Sequence, residues 1–501
     1  MKRTTVLWAM ALLALAPAGA QDATDSSSDF DSLAAPAADT ATPKFDWGTL
    51  KYSGDQELSW RWGAYDPATR TGGMVDSKMS AEYKRGDVKV VAAAQVRNNE
   101  FVPGETAVFY APGTLKFGLG YQEFSWGVAD KRNPTDTLNA RDYRYGVDAP
   151  RLVNPAASVS WYPASWVSID VVYEPWKEQS KYPTDLVGKT SAGLSAAATK
   201  LKASVPYYAA YNPTVTADTN NQDTSQPVYG ARTNFFIPGL DLSLSYVYDK
   251  DPFYTPVVTM KSYSGFWAPQ KVDLVYKRIH RLGIDAKTTV EQFGFWLESA
   301  YNITEASASD AYDNRHNSLD WTLGMDFNYG PGSVYYVNFQ YVGEYIFNYD
   351  ASTNSDYQSN PVAAQLMDQN YMSRQTYRSL VQSLGTQTEQ WTNGFTVSAK
   401  WPLDDELITP GIDAAVALPV SYDTTKATRY ASGYFKPQVD YKPIDSLHIL
   451  FGAELNYAWV KNSGSDSVSL DTANDRIGVY TPQNNVFVKV DYKWNGTLTG
   501  N

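Results

Sequence analysis

Several stretches of this chain alternate between apolar and polar residues. In residues 486–494, valine and aromatic side chains share one face while lysine and aspartate share the other. The same period of two runs through residues 240–248, 319–329 and 447–457. Runs of this length match the roughly 9–11 residues that a tilted strand needs to cross a membrane. Strands of soluble proteins usually have only about 5–6 residues. The pattern therefore predicts membrane-spanning β-strands.

Short and long connections alternate between these strands. Tight turns containing Pro, Gly or Asp are expected at residues 84–87, 111–114, 162–165, 237–240, 330–332 and 442–446. Longer polar segments are expected at residues 125–155, 177–226, 250–270, 346–389 and 459–483. This asymmetry is typical of outer-membrane barrels, which have short periplasmic turns and long external loops. We therefore predict an all-β fold, a transmembrane antiparallel β-barrel of about eighteen strands, with sixteen as the alternative.

The strand pattern is least regular in two places. One is the hairpin predicted at residues 106–124, and the other is the strand predicted around residues 271–285. In the second, Arg278 and His280 interrupt the alternation. These two regions account for the difference between eighteen and sixteen strands.

Two loop segments have the periodicity of helices rather than strands. Residues 189–204 are rich in Ala, with Ser191 as a candidate cap, and residues 361–385 begin with Pro and end with Gly. Because a barrel of this size has a lumen too wide for its own side chains to fill, we expect these short loop helices to cap or enter its mouth. The alternative is that they rest on neighbouring loops.

The start of the chain predicts export. Lys2 and Arg3 precede a short apolar run, and small residues end at Ala20, as in a secretory signal peptide. The next residues are low in complexity and rich in Ala, Ser, Asp and Thr. The predicted organisation is a signal peptide (1–20), a disordered periplasmic leader (21–46), a barrel in the bacterial outer membrane (47–494) and a C-terminal tail (495–501).

Composition supports this interpretation and excludes some functions. Aromatic residues make up 14% of the chain, with 37 Tyr and 15 Trp, while the mean hydropathy is −0.40. That combination suits strands with one lipid-facing side and aromatic girdles at both membrane interfaces. The chain has no Cys, so its stability must come from strand pairing rather than disulfides. A formal net charge of −12 argues against nucleic acid as a partner.

Candidate catalytic residues are scarce. The chain has only three His, which are His280, His316 and His448, and they are far apart in the sequence. His316 is followed closely by Ser318, but their spacing does not fit a nucleophile and its base. No zinc-ligand spacing is present. We therefore expect no enzymatic activity, no cofactor and no metal.

The polar faces of the strands supply the predicted lining of the lumen. Alternation points six candidate pore-lining residues inward: Arg61, Lys89, Arg97, Lys116, Gln122 and Arg232. Most of them are basic and lie on early strands, whereas residues 298–326 contribute acids. Opposed basic and acidic walls would set up a field across the pore. The alternative is that the charges simply pair, as in any water-filled barrel.

The segment 120–155 is the predicted constriction. Arg132, Arg141, Arg144 and Arg151 alternate with aspartates, so charge pairs can fix the loop in one conformation. We expect it to fold inward with Trp126 and to turn surplus guanidinium groups toward the lumen. The alternative is a self-paired external loop that contacts no solute.

This segment also carries a resemblance. Its strand part contains Gly120, Gln122, Trp126 and Gly127, and its loop part contains Asn133, Pro134, Asp136, Leu138, Asn139, Arg141 and Asp142. In these residues it resembles a family of uncharacterised outer-membrane barrels encoded beside RND-type lipid or hydrophobe transporters. A related arrangement makes it similar to alginate and exopolysaccharide export barrels. The resemblance covers under a tenth of the chain. It implies apolar solutes and a periplasmic or inner-membrane transporter as partner.

The functional prediction is an outer-membrane channel that passes small or apolar molecules through a lumen constricted by loops. Tyr207, Tyr208 and Tyr211 favour apolar solutes, whereas the arginine-bearing loop favours hydrophilic ones. The alternatives are a polysaccharide-export or hydrophilic-solute porin, and a surface adhesin without transport. Expected partners are outer-membrane lipid and a solute whose identity the sequence leaves open.

Overall fold

A computed structural model describes most of the chain beyond the predicted leader. It covers residues 47–64, 71–97, 99–146, 149–218, 223–305, 316–330, 334–347, 349, 362–384, 389–419, 428–461, 467–472 and 475–499. The predicted signal peptide and leader lie outside these ranges.

Eighteen antiparallel strands form one closed sheet, as predicted. With all strands numbered β1 to β22 along the chain, the barrel consists of β1 (Thr49–Gly63), β2 (Gly72–Arg85), β3 (Val88–Arg97), β4 (Glu100–Tyr110), β5 (Leu115–Gln122), β6 (Asn154–Ala164), β7 (Val167–Glu174), β9 (Val228–Ile237), β10 (Leu240–Lys250), β13 (Arg278–Val290), β14 (Phe293–Thr304), β15 (Ser318–Tyr329), β16 (Tyr335–Ile346), β17 (Trp391–Lys400), β18 (Ile408–Pro419), β19 (Thr428–Ile444), β20 (Leu447–Lys461) and β22 (Asn485–Thr499). The short β21 (Val468–Leu470) pairs with the end of β20.

The first and last strands close the barrel. β1 and β22 pair from Thr49 with Thr499 to Gly63 with Asn485, and β22 also pairs with β20. The strand therefore continues to Thr499, so that residues 495–499 belong to the barrel rather than to the predicted tail. Because the number of strands is even, both ends of the barrel chain lie at the same edge, which is also the edge of the short turns.

The alternation in the sequence separates the two faces of the wall. On β1, Leu58, Trp60 and Trp62 point outward and are 40–48% exposed, while Glu57 and Arg61 point inward and form ion pairs. A closed sheet satisfies every backbone hydrogen bond between strands, which a hydrocarbon surrounding requires. None of the helices in the described part of the chain is long and apolar enough to span a membrane.

The predicted turns at 84–87, 111–114, 162–165, 237–240 and 442–446 lie at one edge of the barrel, and the described parts of the long loops lie at the other, which corresponds to the external edge of outer-membrane barrels. Residues 331 and 332 of the turn predicted at 330–332 lie outside the described ranges. Two turns have no Pro or Gly and were not predicted. At the first, Glu291 has a φ of +55°, and at the second, Asp404, Asp405 and Glu406 have φ values of 52–68°. Left-handed backbone is uncommon for Glu, so the residue type gives no turn signal at Glu291, whereas Asp404 and Asp405 were an available signal at the second turn.

The external loops carry the remaining elements. A small sheet of β8 (Thr214–Ala217), β11 (Thr255–Tyr263) and β12 (Phe266–Val275) packs with three helices, α1 (Leu186–Ser204), α2 (Val362–Met367) and α3 (Gln369–Ser383). Tyr208 and Tyr211 form the fully buried core of this assembly with Tyr263 and Phe266.

Three loop predictions need correction. The strand expected around 271–285 is divided, because residues 271–275 complete β12 in the external sheet and β13 begins only at Arg278. Helix α1 begins three residues before the predicted 189, since Asp185 rather than Ser191 caps it, accepting a hydrogen bond from the backbone of Gly188 at 2.9 Å. The single helix predicted at 361–385 is interrupted at Asp368, and its two predicted end residues lie outside the described ranges.

Candidate functional site

The loop between β5 and β6, residues 123–153, crosses the inside of the barrel. We call it the crossing loop; residues 147 and 148 of it are not described. It leaves the wall at Gln122, contacts β14, β15, β16 and β18, and returns to the wall at Asn154. In the ring of eighteen strands, β16 and β18 are each eight positions from β5, almost directly opposite. The loop therefore spans the lumen.

Glu298, a fully buried inward side chain of β14, holds the first part of the crossing loop. Its Oε2 accepts hydrogen bonds from the backbone N–H groups of Val128 and Ala129 at 2.9 and 3.0 Å. Its Oε1 accepts the backbone N–H and the hydroxyl of Thr135 at 2.8 and 2.9 Å. A buried carboxylate needs such partners, and hydrogen bonds to charged groups contribute about 1.5–3 kcal/mol each. One wall residue thus fixes the segment from 128 to 135.

The Trp126–Gly127 pair of the sequence motif positions this contact. Trp126 is 6% exposed and packs with Leu138 against the inner wall, above Gly230 of β9. Gly127 has a φ of +98°, and a Cβ atom there would lie 2.7 Å from both carboxylate oxygens of Glu298. Only glycine meets both the backbone and the space requirement. Trp126 therefore lies against the wall and not at the surface of the lumen.

The tip of the crossing loop binds the opposite wall. Lys131 Nζ lies 3.1 Å from Asp413 Oδ1 of β18. The guanidinium of Arg132 lies 3.4 Å from Asp320 Oδ1 of β15, and the Thr322 hydroxyl donates to the Arg132 carbonyl at 2.8 Å. These contacts give the loop a second attachment, on the far side from β5.

The remaining arginines of the loop pair with its own aspartates. Arg141 donates to Asp136 at 2.6 Å, and Arg151 donates to the same carboxylate. Arg144 donates to Asp142 at 2.8 Å, and this hydrogen bond raises the pKa of Arg144. Burial disfavours the charged form of Arg151, but its hydrogen bonds and ion pairs with Asp136 and Glu123 together outweigh burial and raise the pKa of Arg151. The expected surplus of guanidinium groups is absent, because all four predicted arginines have carboxylate partners.

A buried charge network supports the returning part of the loop. Lys177, which follows β7, donates to the Thr137 carbonyl at 2.6 Å and pairs with Asp249 of β10. Arg281 of β13 lies 3.6 Å from the same carboxylate. Asp249 is fully buried and Lys177 is 7% exposed. The crossing loop thus contacts the walls formed by β6, β7, β9, β10, β13 and β14 as well as the far side.

The predicted wall residues fall into two groups. Gln122 and Arg232 lie beneath the crossing loop: Gln122 is 2% exposed and donates to the Ala156 carbonyl at 2.9 Å, and Arg232 lies 3.0 Å from Asp285. The other four are partly accessible. Arg61 and Lys89 form ion pairs, with Glu454 at 4.0 Å and with Glu82 at 2.9 Å. Arg97 donates a hydrogen bond to Gln95 at 2.9 Å, and the Lys116 ammonium lies 4.9 Å from the centre of the Phe109 ring.

Burial divides the lumen into a covered half and an accessible half. Under the crossing loop, the inward residues Glu174, Asp249 and Glu298 are fully buried. On the other side, inward side chains of β1, β19, β20 and β22 are 14–24% exposed, although they too form ion pairs. These charged side chains of β19, β20, β22 and β1 are therefore the more accessible ones of the inner wall.

A cavity of about 400 Å³ opens above the crossing loop, toward the external loops. Its floor includes Lys131 and Arg132, its wall includes Arg281 and Glu344, and its rim includes Arg476 of the loop before β22. Arg476 and Arg132 approach the Glu344 carboxylate at 3.3 and 4.0 Å. Among the described residues, no three His, Cys, Asp or Glu side chains are grouped as metal ligands.

Several of these residues escaped the sequence analysis. Arg281 was missed because the predicted strand around 271–285 began too early, which obscured the inward face of β13. Glu344 and Asp413 follow the alternation of β16 and β18, and their polar character was the available signal. Lys177 and Arg476 lie in loops, where no periodicity reveals the direction of a side chain.

Comparisons with known proteins give the following similarities. No model of a known protein family matches the chain, and no curated protein matches it. Among solved structures, it is similar to Pseudomonas aeruginosa OccK3 (OpdO), with 8% identity, 90% of this chain and 96% of that chain covered, and a TM-score of 0.44. It is also similar to Acinetobacter baumannii OccAB3, with 10% identity, 90% of this chain and 100% of that chain covered, and a TM-score of 0.44. A third similar structure is Pseudomonas aeruginosa OccD3 (OpdP), with 10% identity, 91% of this chain and 93% of that chain covered, and a TM-score of 0.43.

Proposed function

We propose that this protein is an outer-membrane channel through which small hydrophilic solutes diffuse along the accessible half of a loop-constricted lumen. The crossing loop carries this proposal, because it spans the lumen and covers only part of the inner wall. A band of exposed apolar side chains around the wall, such as Leu244, Leu282 and Leu323, supports a membrane location.

Two observations favour hydrophilic over apolar solutes. The inward side chains of the accessible half are charged and paired, such as Lys489 with Glu57 at 3.1 Å. Apolar solutes would have to displace water from these groups without replacing its hydrogen bonds. In addition, Tyr208 and Tyr211, which favoured apolar solutes in the sequence, are fully buried among the external loops and line no passage.

Coupling to a periplasmic or inner-membrane transporter remains a proposal based on the resemblance of residues 120–155. Polysaccharide export is a variant of the same proposal, with a longer hydrophilic solute. A purely adhesive role would not require the water-accessible, charge-lined path beside β19, β20 and β22. Ion conductance of the isolated barrel distinguishes the channel from the adhesin.

The deciding experiment is single-channel recording in planar bilayers with the refolded protein and its Glu298→Ala variant. We expect discrete ion-conducting steps for the unmodified protein. The variant removes the acceptor for four hydrogen bonds of residues 128–135, which weakens the attachment by on the order of 3 kcal/mol. Its conductance and open-channel noise should both rise.

The matched control is Glu305→Ala. Glu305 follows β14, and its carboxylate accepts a hydrogen bond from the Tyr248 hydroxyl. Glu305 is exposed and does not contact the crossing loop in the described structure, so its conductance should match the unmodified protein. Heat-modifiable migration in electrophoresis establishes that each variant is folded. Folded protein without ion steps would overturn the channel proposal, and equal conductance of the two variants would overturn the constriction.

A further inference from the structure

Three aromatic rings form a continuous shelf on one side of the external cavity. Tyr143 of the crossing loop stacks on Tyr182, with ring centroids 5.5 Å apart and planes 11° apart. Tyr182 is followed by Phe253, of the loop after β10, at 5.9 Å. All three rings line the cavity and are only half-buried. The shelf therefore offers apolar surface to a solute from one side.

The shelf is held in place by hydrogen bonds. The Tyr480 hydroxyl donates to the Tyr143 carbonyl at 2.6 Å, and the Tyr182 hydroxyl donates to the carbonyl of Pro252. The backbone N–H of Phe253 donates to the buried Asp251 carboxylate at 3.0 Å. Three separate loops thus converge on one surface, which is pre-formed and not assembled by the solute.

Polar groups face the same cavity from the other side. Arg476 joins the two sides, because its guanidinium lies 5.8 Å from the centre of the Phe253 ring and 3.3 Å from Glu344. Arg132 lies between Asp320, at 3.4 Å, and Glu344, at 4.0 Å. These pairs provide donors and acceptors next to one another.

The charges that line the cavity are nearly balanced. Six Lys or Arg and five Asp or Glu side chains line it among the described residues. An anionic or cationic solute would have to break existing ion pairs, and a wholly apolar solute would leave the polar groups without partners. A neutral solute with many hydroxyls can bond to both members of a pair, since each hydroxyl donates and accepts.

We propose that this cavity binds a neutral sugar of one or two rings before it enters the constriction. A sugar ring has an apolar C–H face, which suits the aromatic shelf, and a rim of hydroxyls, which suits the paired guanidinium and carboxylate groups. The cavity of about 400 Å³ falls within the usual range of small-molecule sites, about 300–1,000 Å³. This inference rests on the proposed channel and names its solute class.

The test measures block of the ion current by glucose and maltose, added to the external side of the full-length protein in planar bilayers. We expect a saturable decrease of the current. Phe253→Ala should raise the half-blocking concentration roughly tenfold by removing one end of the shelf. Tyr207→Ala is the matched control, because Tyr207 is a 55% exposed aromatic residue that stacks on Phe266 among the external loops and does not line the cavity.

The outcomes separate this inference from the proposed channel. Ion steps that sugars leave unchanged would overturn the sugar site while leaving the channel intact. Block by glutamate or benzoate but not by sugars would overturn the neutral solute class. Sugar block with equal sensitivity in Phe253→Ala, Tyr207→Ala and the unmodified protein would overturn the assignment to this cavity. The absence of ion steps would overturn the channel itself, and the sugar inference with it.

Discussion

At the scale of single residues, the constriction depends on the close approach of Gly127 to Glu298. The Glu298 carboxylate lies where the side chain of any other residue at position 127 would begin. The backbone N–H groups of residues 128 and 129 can reach the carboxylate only because this space is empty. The glycine of the Trp–Gly motif is therefore as much a part of the attachment as the carboxylate.

Replacing this glycine should release the loop. Gly127→Ala places a Cβ atom 2.7 Å from two buried oxygens and strains a backbone with a φ of +98°, so we expect a rise in conductance and noise like that of Glu298→Ala. Gly146→Ala is the matched control, because Gly146 has a φ of +93° but no atom of the described residues lies within 4 Å of the added Cβ.

Single-channel recordings of the two variants separate crowding from backbone strain. If conductance and noise rise only in Gly127→Ala, the release of the loop is due to displacement of the Glu298 carboxylate. Equal rises in both would show that backbone strain in the crossing loop is sufficient, and would contradict the role given to the contact with Glu298.

At the scale of elements, the last strand shows how far local periodicity extends. Trp494 is followed by polar residues, which suggested a tail, yet β22 continues to Thr499. The remaining signal was Leu498, which keeps the outward register of Trp494 and is 50% exposed beside Leu50 of β1. One apolar residue is too weak a signal to predict a strand by itself. Only the pairing of residues 495–499 with β1 shows that they belong to the strand.

Removing residues 495–501 should therefore destabilise the closure of the barrel. Residues 495–499 pair with Thr49–Ser53 of β1, and without them this part of β1 keeps only its β2 neighbour. We expect a lower temperature of heat-modifiable unfolding in electrophoresis. Removal of only residues 500 and 501 is the control and should leave that temperature unchanged. An unchanged temperature in the longer truncation would assign residues 495–499 to a dispensable tail.

At the scale of the whole molecule, the crossing loop makes the lumen asymmetric. Inward residues of β10 and β14 such as Ser243 and Ala300 are 5% and 1% exposed under the loop. Inward residues of β1 and β19 such as Glu57 and Lys436 keep 24% and 18% of their side chains exposed. One barrel thus combines inward side chains that are buried under the loop with charged ones that stay partly exposed.

Cysteine scanning can map this division, since the chain contains no Cys. A charged, water-soluble methanethiosulfonate reagent should react with Glu57→Cys and Lys436→Cys and lower their conductance. Ser243→Cys and Ala300→Cys, two mild substitutions on the covered side, should resist the reagent in the folded protein and react after denaturation. Equal reaction rates on the two sides in the folded protein would contradict the asymmetric lumen.

Alternation predicted the wall and pointed Arg61 and Lys89 inward, because the side chains of a strand point alternately to its two faces. In the structure, Arg61 pairs with Glu454 and Lys89 with Glu82. Alternation also pointed Gln122 and Arg232 inward, but it did not reveal that the crossing loop covers them. Gln122 contacts Asn139 of that loop and Arg232 lies over its Trp126 ring, and no local pattern records these contacts.

The sequence by itself determined an even-stranded antiparallel barrel with its turns at one edge, because a period of two and turn-forming residues act over a few positions. Only the tertiary structure decided that the 123–153 loop enters the lumen and which half of the wall it covers. The reason is distance along the chain: the loop is held by Glu298 and Asp413, which come more than 160 residues later. The position of this loop inside the barrel therefore depends on contacts between residues that are far apart in the sequence.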